Sequence, residues 1–523
     1  MAQDTLNALD LSSMRPLPRA YMAHELSLYV HYPFCVHKCP YCDFASEAEG
    51  KDAARDHLYI ELLLKEWRLK LPLWAQTGRK LVSLYIGGGT PSLCEPREWG
   101  RLLDEVGPYL APYAEISLEA NPGTVDESCL RELHAVGFNR ISIGVQSFND
   151  RALKRLGRIH NSEEATAACI AARKAGFTNF NIDLMHGLPQ QDAAAAVADL
   201  RAALALDCTH LSWYELTLEE GTYFGAHPPV LPEENVLLDI EQQGWALLDQ
   251  AGFEHYEVSG YNLEGKYRCR HNLNYWLYGD YLGLGAAAHQ KLTFMSEEKT
   301  AAALHSYAAE KGKLSSVGSA RWGELWHQPE LLLDLVAESK QPEQGLYIIT
   351  RSANPEDFAT YQQQCLQAVE LLLLTQSQTQ PAQQEQECPE SSMGTDDLGA
   401  GAVNTASAGN TASAANAANA GKTVEVSETS VDTDEEIPAQ VGALHQVATE
   451  AVPFEFMLNR LRLQREEISA LEYLCHTGLL MDSLRPQLEE LQREQLITLK
   501  PDLTFAVTQR GKLMLNDAIC AFL

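Results

Sequence analysis

The chain has 523 residues, 45% of them hydrophobic, and its 71 acidic against 40 basic residues give a formal net charge of −31. This length allows two or three domains with a substantial core, and the acidic excess argues against nucleic-acid binding, which needs a basic surface. Residues 1–24 form an extension without a signal-peptide core, and no apolar run is long enough to span a bilayer. The 12 cysteines show no disulfide framework. A cytoplasmic protein is therefore predicted, with peripheral membrane contact and homodimer formation left open.

Between residues 25 and 300, short β-rich runs alternate with helical stretches. The predicted strands are LSLYVHY (26–32), LVSLYIGGG (81–89), EISLEANPG (115–123), RISIGVQSF (140–148), NFNIDLMHG (179–187) and HLSWYELT (210–217), with HYEVSGY (255–261) as a further candidate. Such alternation is typical of parallel strands joined by helical crossovers. The sequence therefore predicts an α/β fold with a barrel or partial (β/α) barrel.

Several of these strands end in glycine or polar residues. The strand ends carry Gly87–Gly88–Gly89–Thr90, Glu119, Gln146 and Asp183. Because the carboxyl ends of parallel barrel strands build one face, these residues are expected to meet a shared ligand at the mouth of the barrel.

Three cysteines, Cys35, Cys39 and Cys42, follow the first strand in the run HYPFCVHKCPYCDF. A [4Fe–4S] cluster held by cysteine at every iron needs four thiolates, so three leave one iron open to an exchangeable ligand. A structural zinc site, with His31 or His37 as fourth ligand, is the alternative that the spacing alone leaves open.

The remainder of the chain divides into three regions. Residues 301–375 are interpreted as a connecting helical region. Residues 376–452 contain 12 acidic residues, one lysine and no aromatic residue, which predicts a disordered insertion. Residues 453–523 read as helix, short hairpin and closing helix, which predicts a smaller α+β domain like a winged helix.

Taken together, these motifs resemble the radical S-adenosylmethionine (SAM) proteins related to oxygen-independent coproporphyrinogen III oxidase. The matching runs are YVHYPFCVHKCPYCDF, IGGGTPS, LEANPGT, NRISIGVQSFND, LKRLGRIH and NIDLMHGLP, with PFEFMLNRLRL and QRGKLMLN near the C-terminus. Within that group the chain is most similar to the HemW-type haem chaperones. The oxidase pattern has a further cysteine where Phe44 stands, and the HemW type carries the motif present here as HNLNYW (271–276).

The resemblance implies roles for individual residues. Cys35, Cys39 and Cys42 would hold a [4Fe–4S] cluster whose open iron takes the amino and carboxylate groups of SAM. Further SAM contacts would come from Tyr29, Tyr41, Gly88, Gly89, Thr90, Glu119, Gln146, Arg158 and Asp183. Haem would be held by His271, Tyr275 and Trp276, with Cys269 and His289 as competing ligands.

The function implied is haem binding and transfer to an acceptor apoprotein, with a reducing electron donor for the cluster. The alternatives are coproporphyrinogen III oxidase activity, another radical SAM reaction on a tetrapyrrole, and a structural zinc protein. Phe44 and the HNLNYW motif argue against the oxidase, although both types share the radical SAM core.

Overall fold

The computed structural model describes residues 14–16, 26–75, 79–296, 347–379, 443–463 and 465–523. One compact unit comprises residues 1–371 with 439–523, and a second comprises 372–438, of which only the helical residues 372–379 are described. Of the helices in these ranges, none combines the length and the apolar character needed to cross a membrane.

The strands, in chain order, are β1 (Met14–Pro16), β2 (Leu26–Tyr32), β3 (Phe34–Cys35), β4 (Glu47–Ala48), β5 (Leu81–Gly88), β6 (Leu110–Ala120), β7 (Arg140–Gln146), β8 (Asn179–His186), β9 (His210–Glu215), β10 (Phe253–His255), β11 (Gly260–Leu263), β12 (Tyr281–Leu284), β13 (His289–Ser296), β14 (Tyr347–Ala353), β15 (Ala443–Gln446), β16 (Ile497–Leu499) and β17 (Phe505–Val507).

The α-helices are α1 (Ala53–Lys70), α2 (Pro96–Val106), α3 (Glu127–Val136), α4 (Asp150–Arg155), α5 (Ser162–Ala175), α6 (Ala193–Leu204), α7 (Tyr223–Ala226), α8 (Glu234–Gln250), α9 (Arg270–Trp276), α10 (Phe358–Thr379), α11 (Val452–Arg460), α12 (Ala470–Thr477), α13 (Arg485–Arg493), α14 (Gln509–Leu513) and α15 (Leu515–Cys520).

The barrel is built from parallel strands in the order β9-β8-β7-β6-β5-β2-β12. Helices follow the strands from β2 to β9 in the chain, so each crossover returns the chain to the same edge. The path of the described sheet runs from β10 to β15 without closing on itself. The predicted partial (β/α) barrel is thus confirmed.

Burial explains why the barrel strands read as nearly continuous apolar runs. In β2, Leu26, Leu28 and Val30 are fully buried, and Ser27 on the opposite face is buried as well. Parallel strands covered on both faces lose the hydrophobic-polar alternation of half-exposed strands. Side-chain caps fix the helix starts, as where Asp52 accepts the backbone N–H groups of Ala54 and Arg55 at the start of α1.

Antiparallel strands extend the sheet at both edges, and this corrects several sequence predictions. The candidate strand 255–261 is two short strands, β10 and β11, joined by a loop at residues 256–259. At the other edge, β12 to β15 follow one another, so residues 347–353 form a strand although the sequence predicts a connecting helical region. Residues 14–16, within the predicted extension, pair with β13.

The predicted insertion at 376–452 is too long at both ends. Helix α10 continues to Thr379, and residues 443–446 pair with β14 as strand β15. Because β15 needs its partner strand, this part belongs to the barrel sheet. The predicted disorder of the intervening residues 380–442 lies outside the described residues.

The C-terminal part, residues 452–523, has the predicted order of helix, hairpin and closing helix. Strands β16 and β17 form the hairpin, and helices α14 and α15 follow it. Its own core includes Phe456, Tyr473 and Leu488, and Tyr278 from the barrel chain packs into the same core. The shared core ties this smaller domain to the barrel.

A buried ion-pair cluster lies beside β12 and β13. Asp280, 1% exposed, accepts hydrogen bonds from Arg79 and Lys291, both at 3.1 Å, and from the hydroxyl and N–H of Thr293. Burial alone would raise the pKa of Asp280, but the charges of Lys291 and Arg79 outweigh it and lower the pKa. Asp280 thus supplies a buried counter-charge shared by the two cations.

We predict that Asp280→Ala lowers the free energy of unfolding by about 3–5 kcal/mol, because it leaves buried cations without their counter-charge. The control is Asp482→Ala, which breaks an exposed pair with Arg485 and should cost under about 1 kcal/mol. Urea unfolding of the two variants measures both values. Equal effects would contradict the assignment of Asp280 as the central charge of the cluster.

Candidate functional site

A glycine turn, residues 87–90, holds the start of the cysteine loop, residues 35–46, against the end of the sheet. Tyr32 lies opposite Gly88 in the parallel pairing of β2 with β5. The N–H of Gly89 donates to the carbonyl of Tyr32 at 2.7 Å, and that of Thr90 donates to Phe34 at 2.8 Å. The two segments therefore continue the backbone pairing of the sheet beyond the strands.

Glycine is required at two positions of this turn. Gly88 has a φ of +108°, and a Cβ there would lie 2.5 Å from the imidazole of His31. A Cβ on Gly89 would lie 2.7 Å from the carbonyl oxygen of Phe34. Only residues without a Cβ permit this approach.

The three predicted cluster cysteines all face one cavity, which we call the mouth. The Thr90 hydroxyl donates to the Sγ of Cys35 at 3.4 Å, and Arg158 Nη1 donates to the Sγ of Cys39 at 3.6 Å. Burial raises the pKa of the Cys35 and Cys42 thiols, so their thiolates need a bound cation to form readily.

On its outer side the cysteine loop packs against helix α7. Tyr41 and Phe224 have ring centres 6.5 Å apart, and the Phe224 N–H donates to the carbonyl of Pro40 at 2.9 Å. In the described ranges, no three His, Cys, Asp or Glu side chains converge closely enough to hold a single metal ion. A cluster has no such requirement, because each of its irons takes one thiolate.

The mouth is a cavity of about 450 Å³ at the carboxyl ends of the strands. The predicted residues that line it are Cys35, Cys39, Tyr41, Cys42, Gly88, Gly89, Thr90, Glu119, Gln146, Arg158, Asp183 and Trp276. Tyr29, His271 and Tyr275 are not part of the lining. The structure thus brings together most of the predicted SAM contacts, and it places one of the three predicted haem contacts at the same cavity.

Glu119, at the end of β6, is the carboxylate closest to the glycine turn. It accepts hydrogen bonds from the Tyr85 hydroxyl at 2.8 Å and from the N–H of Gly88 at 3.1 Å. Burial raises the pKa of Glu119 to about 7, and the charge of Asp183 adds to this, while the two hydrogen bonds oppose it. Near neutral pH this side chain therefore exchanges a proton readily, and a ligand with hydroxyl donors would favour its ionised form.

Asp183, at the centre of β8, lies opposite Gly144 of β7. It accepts hydrogen bonds from Ser142 at 2.9 Å and from Asn181 at 2.7 Å. Burial raises its pKa despite these bonds. The partners of Asp183 are thus side chains on adjacent positions of the sheet and not groups of a turn.

Gln146 and Arg158 are held by neighbouring strands. Gln146 has a φ of 68°, unusual for a residue with a side chain, and lies where the register of β7 with β8 shifts. The Tyr214 hydroxyl donates to its Oε1 at 2.7 Å. Arg158 Nη2 donates to the Gly144 carbonyl at 2.7 Å, which holds the guanidinium at the mouth.

The motif HNLNYW lies in helix α9, which places Asn272 and Trp276 at the mouth and His271 behind it. Trp276 lines the mouth, whereas His271 is 4% exposed and stacks on Tyr85 with ring centres 4.6 Å apart. Tyr29 continues this stack, 5.7 Å from His271, and the edge of Tyr275 meets the imidazole at 4.6 Å.

His271 is a buried, neutral imidazole. Burial and the charge of Arg140 lower its pKa to about 3. Its buried Nδ1 has no hydrogen-bond partner among the described residues. Such an atom is costly to bury unless it serves a ligand or a second conformation.

The competing haem candidates are placed less favourably. Cys269 is buried away from the lining, its Sγ 3.6 Å from a Glu115 carboxylate oxygen, and burial raises its pKa to about 12. His289 is exposed on β13 and does not line the mouth.

Some residues of the mouth are absent from the sequence predictions. Tyr214 ends strand β9 and had the same strand-end signal as Gln146. Ser142 and Ser212 are mid-strand residues with no distinctive sequence signal. Glu257 and Arg462 reach the mouth from a loop and from the C-terminal part, which no local pattern indicates.

Comparisons with known proteins agree with this geometry. Residues 29–200 match the model of the radical SAM superfamily. The chain is 50% identical over 271 residues to a protein of Escherichia coli named "Heme chaperone HemW", covering 51% of this chain and 71% of that protein. It is 48% identical over 279 residues to the protein of that name in Haemophilus influenzae, covering 53% and 72%.

The chain belongs to the HemW family of radical SAM proteins. Among solved structures it is similar to coproporphyrinogen III oxidase of Escherichia coli, with a TM-score of 0.62 and 19% identity over 96% of this chain and 92% of that one. At this identity the likeness shows a shared fold alone. Membership of this family argues against the alternative that the chain is a structural zinc protein.

The raised pKa of Glu119 predicts a pH-dependent contribution to stability. Between about pH 4.5 and 7 the folded protein keeps a proton on Glu119 that the unfolded chain has lost, so stability falls as the pH rises through this window. Glu119→Gln removes the titrating group. We expect the stability of the wild type, relative to this variant, to decline from pH 5 to 8 in urea unfolding. If the free energies of unfolding of wild type and Glu119→Gln change with pH in the same way, the burial of this carboxylate is contradicted.

Proposed function

We propose that this protein binds haem at the mouth of its barrel and passes it to an acceptor apoprotein in the cytoplasm. The observation that carries the proposal is helix α9. This helix brings the Trp276 indole to the mouth and holds an imidazole with an unpartnered, buried Nδ1 directly behind it. The relatives named as haem chaperones, at 48–50% identity, support the same function.

The residues of the mouth fit a [4Fe–4S] cluster and SAM. Cys35, Cys39 and Cys42 supply thiolates from one loop, and Glu119 suits the ribose hydroxyls of SAM because a carboxylate accepts two O–H donors. Arg158 suits the carboxylate of SAM. The cluster, when bound, offers an open iron for the amino and carboxylate groups of SAM. An electron donor would keep the cluster reduced.

The haem would rest against Trp276, with His271 as its axial ligand. In the described conformation His271 lies behind the lining, so ligation requires helix α9 to shift. This helix has seven residues, and the shift has to break the bond from the Arg270 N–H to the Glu115 carboxylate at 2.9 Å or the bond from Asn274 to the Asp280 carbonyl at 2.8 Å. A transfer protein also has to release its cargo, which a single protein ligand favours.

The rival function is oxidation of coproporphyrinogen III, and Phe44 argues against it. Phe44 stands where the oxidase pattern has its last cysteine, lines the mouth and is 61% exposed. The structural likeness to the oxidase extends only to the fold.

We predict that SAM affinity rises as the pH increases from 6 to 8, because SAM prefers the ionised form of Glu119 and this group has a pKa of about 7 without ligand. Glu119→Gln should weaken SAM binding about 10- to 100-fold at pH 8, through loss of charge-assisted hydrogen bonds. The difference in SAM affinity between wild type and Glu119→Gln should become smaller toward pH 6. Anaerobic calorimetry of the cluster-loaded proteins measures both affinities. A difference in affinity that does not change with pH would assign the pH dependence to another group.

We predict that the haem-loaded protein transfers haem to an apo-acceptor and that the anaerobic, SAM-supplied protein does not convert coproporphyrinogen III. His271→Ala should weaken haem binding or change the haem absorption spectrum while leaving the iron–sulfur absorbance intact. The matched control is His289→Ala, which alters an exposed histidine outside the mouth. Formation of protoporphyrinogen would overturn the proposal. Unchanged haem spectra in His271→Ala would remove His271 as the ligand.

A further inference from the structure

The C-terminal part contributes one residue, Arg462, to the lining of the mouth. Arg462 follows helix α11, and its Nε donates to the carbonyl of Leu458 at 3.1 Å. The guanidinium carbon lies over the indole of Trp276, 5.1 Å from the ring centre. These two contacts fix the side chain against the mouth and leave its terminal N–H groups for other partners.

Arg462 has no carboxylate partner among the described residues. Three arginines near it do form ion pairs: Arg268 with Glu466, Arg351 with Glu455, and Arg460 with Glu472. Within the described part of the chain, no carboxylate lies within ion-pair distance of Arg462. Glu257 is the acidic residue that shares its part of the mouth, and its Oε2 accepts from Trp276 Nε1 at 3.1 Å.

Glu257 does not neutralise this guanidinium fully. It is 5% exposed, and burial raises its pKa to about 7, with Arg462 among the weaker opposing influences. Close to neutral pH it is therefore partly protonated. The mouth thus holds a guanidinium whose charge is incompletely compensated, fixed over an indole and open to a ligand.

We propose that Arg462 binds a carboxylate of the ligand in the mouth, and that this carboxylate is a porphyrin propionate. The inference rests on the proposed haem binding and adds the group that recognises the edge of the ring. A guanidinium forms two parallel hydrogen bonds with a carboxylate, and one that lies over an aromatic ring keeps its in-plane N–H groups available. A haem against Trp276 would bring its propionates toward this guanidinium.

The test compares haem with haem dimethyl ester, whose propionates are esterified and uncharged. Wild-type protein should bind the free acid about 10- to 100-fold more tightly than the ester, the range expected for a charge-assisted pair. Arg462→Gln should lose most of this preference, and Arg462→Lys should keep part of it. The control is Arg485→Gln, an exposed arginine of the same C-terminal part, which should retain the wild-type preference.

Further measurements show whether the bound carboxylate belongs to SAM or to haem. They also show whether the inference fails alone or together with the proposed function. SAM affinity is measured for the same proteins, and we expect it to be unchanged by Arg462→Gln. A selective loss of SAM binding would assign the carboxylate to SAM and overturn the inference. Equal binding of haem and its ester by the wild type would overturn it too, without dependence on any variant, while haem transfer stands. Absence of binding for both porphyrins would overturn the proposed function and this inference together.

Discussion

The close approach between the glycine turn and the start of the cysteine loop is the constraint on which the site depends. The backbone bonds from Gly89 to Tyr32 and from Thr90 to Phe34 place Cys35 within reach of the Thr90 hydroxyl. The same turn directs the N–H of Gly88 at Glu119. A side chain at Gly88 would displace the imidazole of His31, and one at Gly89 would displace the backbone of Pro33 and Phe34 directly before Cys35, so the turn constrains the cluster ligands and the carboxylate together.

Burial then sets the charge state of four titratable groups at the mouth and directly behind it. It raises the pKa values of Glu119, Asp183 and Cys35, and it lowers that of His271. All four shifts favour the neutral forms, as expected where water is excluded. Glu119, Asp183 and Cys35 therefore carry little charge on their own, beside the guanidinium groups of Arg158 and Arg462 in the same lining. The cationic iron, the sulfonium of SAM or hydroxyl donors would supply the interactions that ionise these three acidic groups. Binding of such ligands and release of protons are linked by this arrangement.

The sequence was most informative where a local pattern determines position. Glu119 and Gln146 could be predicted because parallel strands place their carboxyl ends on one edge, and the cysteine spacing could be read directly. Asp183 reaches the mouth from the centre of β8 and not from the strand end that the sequence predicts. Tyr29 and His271 could not be placed, since stacking behind the lining depends on how helix α9 packs inside the barrel. Strands β14 and β15 escaped prediction because each is stabilised by a pairing distant in the chain. Arg462 follows Trp276 by nearly two hundred residues in the chain, and no sequence periodicity predicts a contact between residues so far apart.

Helix α9 links the mouth to the C-terminal part. On one side Trp276 contacts both Glu257 and Arg462. Immediately after the helix, Tyr278 packs in the C-terminal core and donates to Glu455, which is also paired with Arg351 of β14. A shift of α9 that brings His271 to the mouth must therefore alter contacts with the C-terminal part. Under the proposed function, haem binding would therefore act on the small domain through α9, and an acceptor bound to that domain would influence how firmly the barrel holds haem.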